Sequence, residues 1–551
     1  MKKILIFSSV LLIALMTILY HIMAPRGTTI AFNDIKSSIS ISTVPLDSRP
    51  PCTDFTAELG HLAGMNIILP PKKLLDKYEI PAQGSAISSW LKENIFKTKG
   101  AIISVDLLAH GGLLNSRLQP LTKNKAEEIL QFLQTLKQDN PTKFFYIYSI
   151  IPRLLVSDQI LPDSWYQWHL MQWAILMDKK IHKVPYDQKQ YKELQQEIPA
   201  GIKWKYVKLY RENAHFNKKL TDVAVKENLN DLVIGQDDAQ PFGLPNHNRL
   251  EIEKYMSTFP FQNKFHVTQG ADELGALAVA RIFAQKNNYK PKIYIEYGNA
   301  AMAKMVLPFV PLDLQQIVAD KVSLVNGTIV YNKEAADFIL FVYCGDNMPI
   351  DYRRIANKVK TLIAQKPLAL VDLTMNFDSA EALLPHLIAN STPLVQLASY
   401  AGWNTASNSI GTALAQATIF TGQKQLLPQK DLPALYAENL KFNCARFLDD
   451  WAYQKLIRHK ISLFADYNGI ASIDDTSPYT NLVENYINKE LTIYNKFLLL
   501  SNLRRYPFYK DSSAAYYLQN LSFHATLPWE RIFEIRLQVF PTFGKLSLTN
   551  T

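Results

Sequence analysis

The sequence predicts an α/β protein with mostly parallel strands, preceded by a single membrane-anchoring helix. Short apolar strands alternate with helical segments along most of the chain, a pattern that produces parallel sheets covered by helices. Polar clusters follow directly after several of these strands, which is where α/β proteins place their binding sites. An apolar run opens the chain, and its length is close to the roughly 20 residues that span a bilayer.

The first 24 residues are predicted to be a signal anchor. Lys2 and Lys3 precede an apolar run from Ile4 to Met23, and a basic start of this kind keeps the lysines in the cytoplasm. The sequence around Ala24-Pro25 lacks the small-x-small pattern of a signal-peptidase site. We therefore expect a single-pass protein of the cell membrane with an extracytoplasmic body, or a secreted protein if the segment is cleaved as a signal peptide.

The charge and the cysteine spacing of the chain limit which partners and metals it is expected to bind. The chain has 551 residues and a formal net charge of +10, with its lysines scattered rather than clustered. This pattern favours an anionic neighbour such as lipid headgroups or wall polymer, or simple solubility, and we expect no nucleic-acid partner. Cys52, Cys344 and Cys444 lack CxxC spacing, so we expect three small buried hydrophobic residues rather than a zinc site.

Changes in pattern divide the chain into five parts. The predicted parts are the anchor at 1–24, a linker at 25–37, a barrel-like parallel β/α domain at 38–290, a second Rossmann-like α/β region at 291–421 and a mainly helical region at 422–551. The predicted strands are Ile39–Val44, Asn66–Leu69, Ala101–Val105, Lys143–Ile151, Asp231–Ile234, Lys264–Thr268, Lys292–Tyr297, Phe338–Tyr343, Leu368–Val371 and Leu394–Leu397.

Polar residues follow five strands of the barrel-like domain and two strands of the second region. Because the carboxyl ends of parallel strands meet at one edge of a sheet, we expect these loops to converge on one site. The predicted substrate-binding residues are Asp47, Arg49, Asp106, His110, Arg117, Arg153, Asp272, Glu273, Trp403 and Asn404. The predicted catalytic residues are Asp237 and Asp238.

The same loops form a series of sequence motifs. They read Val-Pro-Leu-Asp-x-Arg-Pro at 44–50, Ser-x-Asp-x-Leu-x-x-Gly-Gly-Leu at 104–113, Gln-Asp-Asp-Ala at 236–239, Gly-Ala-Asp-Glu at 270–273, Tyr-Ala-Gly-Trp-Asn-Thr-Ala at 400–406, Asp-Asp-Trp at 449–451 and Pro-Trp-x-Arg-x-Phe-Glu at 528–534. In this order the motifs resemble a bacterial family catalogued as domain of unknown function 4127, over about residues 40–540. The chain departs from the family at Ser48, where a second aspartate is common. The resemblance implies no agreed activity.

The adjacent carboxylates of Asp237 and Asp238 carry the chemical prediction. Two neighbouring carboxylates repel each other, which raises the pKa of one of them and suits it to act as a general acid. In substrate-assisted hexosaminidases an acidic pair after a barrel strand orients the acetamido group and protonates the leaving oxygen. We therefore favour a glycoside hydrolase that acts on a cell-wall or extracellular glycan, including glycans that contain N-acetylhexosamine. The structural alternative for the pair is a helix cap or turn.

The other predicted site residues also have two interpretations. Arginine binds carboxylates in bidentate fashion, so Arg49, Arg117 and Arg153 would bind an acidic sugar or hold the aspartates in place. The Trp403-Asn404 pair would stack on a pyranose ring and bind its hydroxyls, or would anchor the loop and cap the following helix.

Two further function classes remain open. One is a non-catalytic protein that binds glycan or assists envelope assembly. The other is a metal-dependent hydrolase with Asp47, Asp106, Asp237 and Asp272 as oxygen ligands, which ranks third because His247 and His386 have no metal-ligand spacing. We expect neither a metal nor a cofactor, since the sequence has no glycine-rich phosphate loop or dinucleotide fingerprint.

Overall fold

A computed structural model of the chain describes residues 27–155, 164–260, 263–346, 351–376 and 379–548. The predicted anchor at residues 1–24 lies outside the described residues. Within the described ranges, no helix combines the length and the apolar character needed to cross a membrane.

The strands of the described residues form three sheets. In chain order the strands are Thr28–Ile30 (β1), Ile39–Val44 (β2), Met65–Ile68 (β3), Gly100–Ser104 (β4), Phe144–Ile151 (β5), Asp231–Gln236 (β6), Phe265–Gln269 (β7), Lys292–Tyr297 (β8), Thr328–Val330 (β9), Phe338–Gly345 (β10), Leu368–Thr374 (β11), Ser399–Ala401 (β12), Tyr509–Lys510 (β13), Ala514–Thr526 (β14) and Arg536–Ser547 (β15).

The first sheet is open, so the prediction of a barrel-like domain is wrong. Its six parallel strands lie in the order β3-β2-β4-β5-β6-β7, which leaves β3 and β7 as its edges. Alternate strand residues pack on opposite faces, with Ile102 in one hydrophobic cluster and Ile103 in another. A sheet buried on both faces is typical of parallel sheets between two helical layers. Strand–helix alternation predicts a barrel and an open sheet equally well, because the two differ only in whether the edge strands pair.

The second sheet repeats the topology of the first. Its five parallel strands lie in the order β12-β11-β10-β8-β9. Counted within each sheet, the strand order is 2-1-3-4-5 in both, and β7 adds a sixth strand to the first. In each sheet the second strand lies on one side of the first strand and the third lies on the other side. The order of the strands therefore changes direction at the first strand, which is β2 in one sheet and β8 in the other. Crevices for ligands form at such points, beyond the carboxyl ends of the strands.

The third sheet is antiparallel and was not predicted. It has the order β1-β15-β14-β13, so a strand from the predicted linker pairs with the end of the chain. The region 422–551 is therefore helical only as far as Leu503. The first half of β14 is largely buried, and the pairing of β14 with β15 shifts register between Leu518 and Asn520. Both features weaken the alternation of apolar and polar residues that identifies a strand in a sequence.

The helices cover the two parallel sheets and form most of the chain between β12 and Leu503. The α-helices are Asp54–Leu62, Gly84–Ile95, Val105–His110, Leu113–Ser116, Lys123–Asp139, Ser164–Ile181, Gln188–Glu197, Ala200–Lys226, Leu244–Met256, Leu274–Lys286, Leu314–Leu324, Tyr352–Gln365, Leu384–Ala389, Ala406–Leu426, Leu432–Arg446, Arg458–Tyr467 and Thr480–Leu498. Segments Phe447–Ile457 and Leu499–Leu503 are π-helical, and short 3₁₀ turns lie at Lys72–Leu74, Ala300–Lys304, Lys333–Ala335, Ser379–Glu381, Leu394–Gln396 and Gln429–Asp431.

The predicted strands differ in how closely they match the observed ones. The predicted bounds of Ile39–Val44 and Lys292–Tyr297 match those of β2 and β8. The strand predicted at Leu394–Leu397 is wrong, because most of this apolar run forms a 3₁₀ turn and the strand β12 begins only at Ser399. All three cysteines are free and buried, as expected.

A buried ion pair joins the first parallel unit to the second. Lys321, in the helix Leu314–Leu324, places its Nζ 2.5 Å from Oε1 of Glu273, and both side chains are fully buried. The ammonium also donates to the carbonyl oxygen of Gln269, at the end of β7. The pair therefore fixes the helix of the second unit against the carboxyl end of the first sheet.

We expect Lys321→Met to lower the free energy of unfolding by about 3–5 kcal/mol, because it leaves the Glu273 carboxylate buried without its partner. Urea unfolding followed by circular dichroism measures the change. Lys123→Met is the matched control, since Lys123 pairs with Glu127 on an exposed helix surface and such pairs contribute less than about 1 kcal/mol. Equal losses in the two variants would contradict the prediction.

Candidate functional site

Two adjoining cavities lie where the carboxyl ends of the two parallel sheets approach each other. Their volumes are about 470 Å³ and about 460 Å³. The first, called here the aspartate cavity, is lined by Arg49, Tyr78, Glu79, Leu114, Arg117, Leu118, Arg153, Leu155, Gln167, Asp237, Asp238, Gly270, Ala271, Asp272, Phe309, Asn404, Asn408, Arg531 and Phe533. The second, the adjoining cavity, shares Arg49, Phe309, Asn404 and Phe533 with it. Together the two cavities form the cleft.

Arg49 holds two loops of the first sheet together at the floor of the cleft. Its Nη2 lies 2.6 Å from Oδ2 of Asp47 and 2.6 Å from Oδ1 of Asp272. Asp47 follows β2, whereas Asp272 follows β7 at the far edge of the sheet. All three side chains are buried. Burial raises the pKa of Asp272 to about 6, although the Arg49 guanidinium works against this shift.

Asp47 and Asp272 therefore share a cation that the protein itself supplies. The Arg49 guanidinium occupies the space between the two carboxylates, which is where a shared cation would bind. This geometry does not fit the use of Asp47 and Asp272 as ligands of one metal ion. It identifies Arg49 as the residue that organises the floor of the cleft.

Arg117 makes a bidentate ion pair with Asp237. Its Nε donates to Oδ2 of Asp237 at 2.7 Å, and its Nη2 donates to Oδ1 at 2.9 Å. Burial alone would raise the pKa of Asp237, but the adjacent Arg117 guanidinium holds that pKa below its usual range. Asp237 is therefore an ionised carboxylate of fixed orientation.

Asp238 differs from its neighbour in having no ion pair within the described residues. Its backbone N–H donates to Oδ1 of Asp237 at 2.9 Å, while its side chain lines the aspartate cavity. Burial, together with the negative charge of Asp237, raises the pKa of Asp238 to about 7. The sequence prediction that adjacent carboxylates would have different pKa values agrees with this arrangement. Asp238 can hold or release a proton near neutral pH.

Arg153 leaves part of its guanidinium available to a ligand. Its Nε donates to the carbonyl oxygen of Leu155 at 2.8 Å, and among the described residues it forms no salt bridge. Burial and the nearby Arg117 lower the pKa of Arg153 to about 10, so it remains a cation at neutral pH. A half-buried cation on a cavity wall is suited to binding a carboxylate or phosphate.

The Trp403-Asn404 loop reaches the cleft from the second sheet. Asn404 has φ +51°, a left-handed conformation that costs energy for most residues other than glycine and is often found at functional sites. Its side chain lines both cavities. Trp403 is buried against the Phe55 ring at 5.9 Å. Trp403 therefore anchors the loop, while Asn404 faces the space where a ligand would lie.

The Asp-Asp-Trp motif supports this loop from behind. Asp450 accepts a hydrogen bond of 2.9 Å from the backbone N–H of Gly402, and its other carboxylate oxygen accepts one of 2.6 Å from Arg446. Asp449 accepts from the same guanidinium at 3.2 Å. Both aspartates lie in the π-helical segment Phe447–Ile457, and neither lines the cleft. Their role is to hold the Gly402 end of the loop in place.

Four of the predicted site residues do not line either cavity, and one of them is Asp47, which is buried against Arg49. Asp106 is buried beneath the loops, and burial raises its pKa to about 7. His110 ends the helix Val105–His110, and Glu273 is occupied by Lys321. His386, which has no metal-ligand spacing in the sequence, stacks on Tyr352 with ring centroids 3.8 Å apart.

Several lining residues were not identified from the sequence. Phe309 comes from the loop after β8, and its carbonyl oxygen accepts from the N–H of Ala239 in the loop after β6. Lys455 is buried in the wall of the adjoining cavity, where its Nζ donates to Thr374 at 3.0 Å, and burial lowers its pKa. Their sequence contexts, a proline-rich loop and a helix interior, carry no functional signal.

The C-terminal tail closes one side of the cleft. Arg531 pairs with Glu534 at 2.7 Å, and Trp529 donates from Nε1 to the hydroxyl of Ser48 at 2.7 Å. The Trp529 ring also lies 5.2 Å from the Arg49 guanidinium carbon. The motif at 528–534 therefore packs directly on the motif at 44–50, and Ser48 supplies the hydrogen-bond acceptor for the tryptophan.

These features define an α/β protein whose polar site lies at the carboxyl ends of its parallel strands. A family model described as Protein of unknown function (DUF4127) matches residues 41–538. The chain belongs to this family, as its motifs indicated. No curated protein matches the sequence.

Asp238 has a testable effect on stability. Its pKa is about 7 in the folded protein and about 4 in an unfolded chain, so the native state binds this proton more tightly. The contribution of Asp238 to the free energy of unfolding therefore falls as the pH rises from about 4 to about 7. We expect the urea midpoint of Asp238→Asn to fall less than that of the wild type over this range.

The matched control for this measurement is Glu79→Gln, because Glu79 is an exposed carboxylate in the lining of the same cavity. We expect the control to keep the pH dependence of the wild type. If Asp238→Asn also keeps the pH dependence of the wild type, the pKa of Asp238 is not raised in the folded protein.

Proposed function

We propose that this protein is a glycoside hydrolase that cleaves an acidic glycan in its cleft, with Asp238 as the proton donor. The observation that carries the proposal is the pairing of Asp238, whose pKa is about 7, with Asp237, which stays ionised on Arg117. Acid catalysis needs a protonated carboxyl that can donate to the leaving oxygen. It also benefits from an ionised carboxylate that stabilises the positive charge developing on the substrate.

In the proposed reaction, Asp238 transfers its proton to the glycosidic oxygen as the bond to the anomeric carbon breaks. For an N-acetylhexosamine, the acetamido oxygen attacks the anomeric carbon from the opposite side, and water then opens the cyclic intermediate. Asp238, now a carboxylate, accepts a proton from that water. The same residue therefore acts first as the acid and then as the base.

Asp237 is suited to orient the acetamido group. Its Oδ1 already accepts from Arg117 and from the Asp238 N–H, whereas Oδ2 accepts only from Arg117 Nε among the described residues. A carboxylate oxygen has two acceptor positions, so Oδ2 retains one for the N–H of the substrate. Its negative charge also favours the positive charge that develops on the attacking acetamido group.

The arginines indicate the charge of the substrate. Arg49 and Arg117 are neutralised by aspartates, but Arg153 keeps donors available in the cavity wall. Arg458 lines the adjoining cavity, where its guanidinium lies 4.8 Å from the Phe533 ring. Cations next to aromatic rings suit sugars that carry a carboxylate, such as those in bacterial wall polymers. The extracytoplasmic location expected from the sequence is part of this proposal.

A non-catalytic glycan-binding protein is the second candidate. It is favoured by the arginine pairing of Asp47, Asp237, Asp272 and Glu534, because paired carboxylates stabilise a binding pocket without moving protons. The two candidates differ at Asp238. A hydrolase needs its proton, whereas a binding protein does not.

We expect Asp238→Asn to lower kcat by about 10²- to 10⁴-fold, the usual contribution of a general acid, while leaving substrate affinity largely intact. The measurement is release of new reducing ends from a panel of wall-derived oligosaccharides, combined with calorimetric binding of the same oligosaccharides. The wild-type rate should decline above pH 7, as Asp238 loses its proton. Glu127→Gln is the control and should keep both rate and affinity, because Glu127 lies on an exposed helix surface and lines neither cavity.

Two results would overturn parts of this proposal. Full activity of Asp238→Asn on a cleaved oligosaccharide would remove Asp238 as the acid. Tight binding of the panel by the wild-type protein without any cleavage would select the glycan-binding candidate instead.

We expect Arg153→Met to weaken binding of carboxylated oligosaccharides by about 10- to 100-fold, which corresponds to one charge-assisted hydrogen bond. Binding of the matching neutral oligosaccharides should change much less, and comparison of the two affinities by calorimetry measures the difference. An equal loss for both kinds of sugar would show that Arg153 does not distinguish carboxylated from neutral oligosaccharides.

A further inference from the structure

A second cluster of ionisable side chains lies in the helical insertion that follows β5. Asp178 belongs to the helix Ser164–Ile181, His182 follows that helix, and His247 belongs to the helix Leu244–Met256. Nε2 of His182 lies 3.2 Å from Oδ1 of Asp178, and Nδ1 of His247 lies 3.8 Å from the same oxygen. One donor atom from each of the three side chains falls within 4.8 Å of the others.

The hydrogen bonding of Asp178 is complete on one oxygen and missing on the other. Oδ2 accepts from the backbone N–H of Gly243 at 2.8 Å and from the side-chain amide of Asn246 at 3.2 Å. Oδ1 has no hydrogen-bond partner among the described residues, and neither has the buried Nδ1 of His247. The Asp178 side chain is fully buried, and leaving a buried carboxylate oxygen unsatisfied is costly.

We infer that Asp178, His182 and His247 bind a divalent transition-metal cation, with zinc as the best fit. Imidazole nitrogen and carboxylate oxygen are ordinary zinc ligands at bond lengths of about 2.0–2.2 Å. Tetrahedral bonds of that length separate neighbouring ligand atoms by roughly 3.3–3.5 Å. The two distances to Asp178 Oδ1 lie on either side of this range, so small side-chain rotations bring the three atoms into place.

The surroundings orient the carboxylate towards such a cation. Asn246, which holds Oδ2 of Asp178, accepts from Nη2 of Arg249 at 3.0 Å, and Arg249 in turn donates to Glu253 at 2.6 Å. Outer hydrogen bonds of this kind fix the orientation of metal ligands and strengthen binding. The two histidine side chains are about one-third exposed, so water or an external ligand can complete a fourth position.

The site joins two elements of the cleft. The helix Ser164–Ile181 carries Gln167 into the lining of the aspartate cavity, and the helix Leu244–Met256 follows the loop that bears Asp237 and Asp238. A cation bound by both helices holds that wall of the cleft in one arrangement. This inference is independent of the proposed hydrolase chemistry, because it concerns metal binding alone.

The test is titration of Zn²⁺ into the metal-free full-length protein by isothermal calorimetry, with Co²⁺ as a spectroscopic probe. We expect one equivalent of Zn²⁺ to bind per chain and Co²⁺ to give the intense visible bands of a tetrahedral site. His182→Gln and His247→Gln should each weaken Zn²⁺ binding by at least about 100-fold and abolish those bands. Both variants should also lose the rise in unfolding temperature that Zn²⁺ gives the wild type.

His61→Gln is the matched control, because His61 is equally exposed and lies 3.9 Å from the carboxylate of Glu438, with no third ligand among the described residues. It should bind Zn²⁺ as the wild type does. Asp178→Asn tests the third ligand, and circular dichroism of each variant establishes that it is folded. The inference is overturned if the wild type binds no stoichiometric Zn²⁺, or if His182→Gln and His247→Gln bind it as tightly as the control.

Discussion

The cleft depends on one buried interaction, the clamp of Arg49 between Asp47 and Asp272. It connects the loop after β2 to the loop after β7, the edge strand of the first sheet. Asn408, at the start of a helix of the second unit, also approaches Asp272 at 3.4 Å, and the Trp529 ring covers the guanidinium. Three separate parts of the chain therefore meet on this ion pair. A buried charge cluster of this kind tolerates no missing partner, so it fixes the geometry around it.

The repeated topology explains why the cleft lies where it does. Each parallel sheet has its change of winding beside its first strand, and each therefore has a crevice at the carboxyl ends of its strands. The two crevices face a common space, which is why Asn404 and Phe309 from the second unit line the same cavities as Arg49 from the first. A ligand in the cleft contacts both units and the C-terminal tail. The site is thus a property of the assembled chain rather than of either sheet.

The sequence predicted the parts of the site that follow strands, because a buried strand and the polar residue at its end are both local features. Asp237, Asp238, Arg117 and Arg153 were identified in this way, and all of them line the aspartate cavity. Partners that are distant in the sequence were not predictable. The pairing of Glu273 with Lys321 was hidden for this reason, and so was the approach of His247 to Asp178. The closure of the sheet was equally undetermined, since it depends on whether two edge strands meet.

The charges in the cleft connect the binding of an acidic sugar to the protonation of Asp238. Arg49, Arg117 and Arg531 are each neutralised by a carboxylate, so Arg153 and Asp238 are left to set the response of the aspartate cavity to a ligand. An anionic group bound at Arg153 offsets the positive charge that lowers the pKa of Asp238, and so favours the protonated form of Asp238. Under the proposed chemistry, binding of an acidic sugar therefore places the proton where the reaction uses it, and a neutral sugar lacks this coupling.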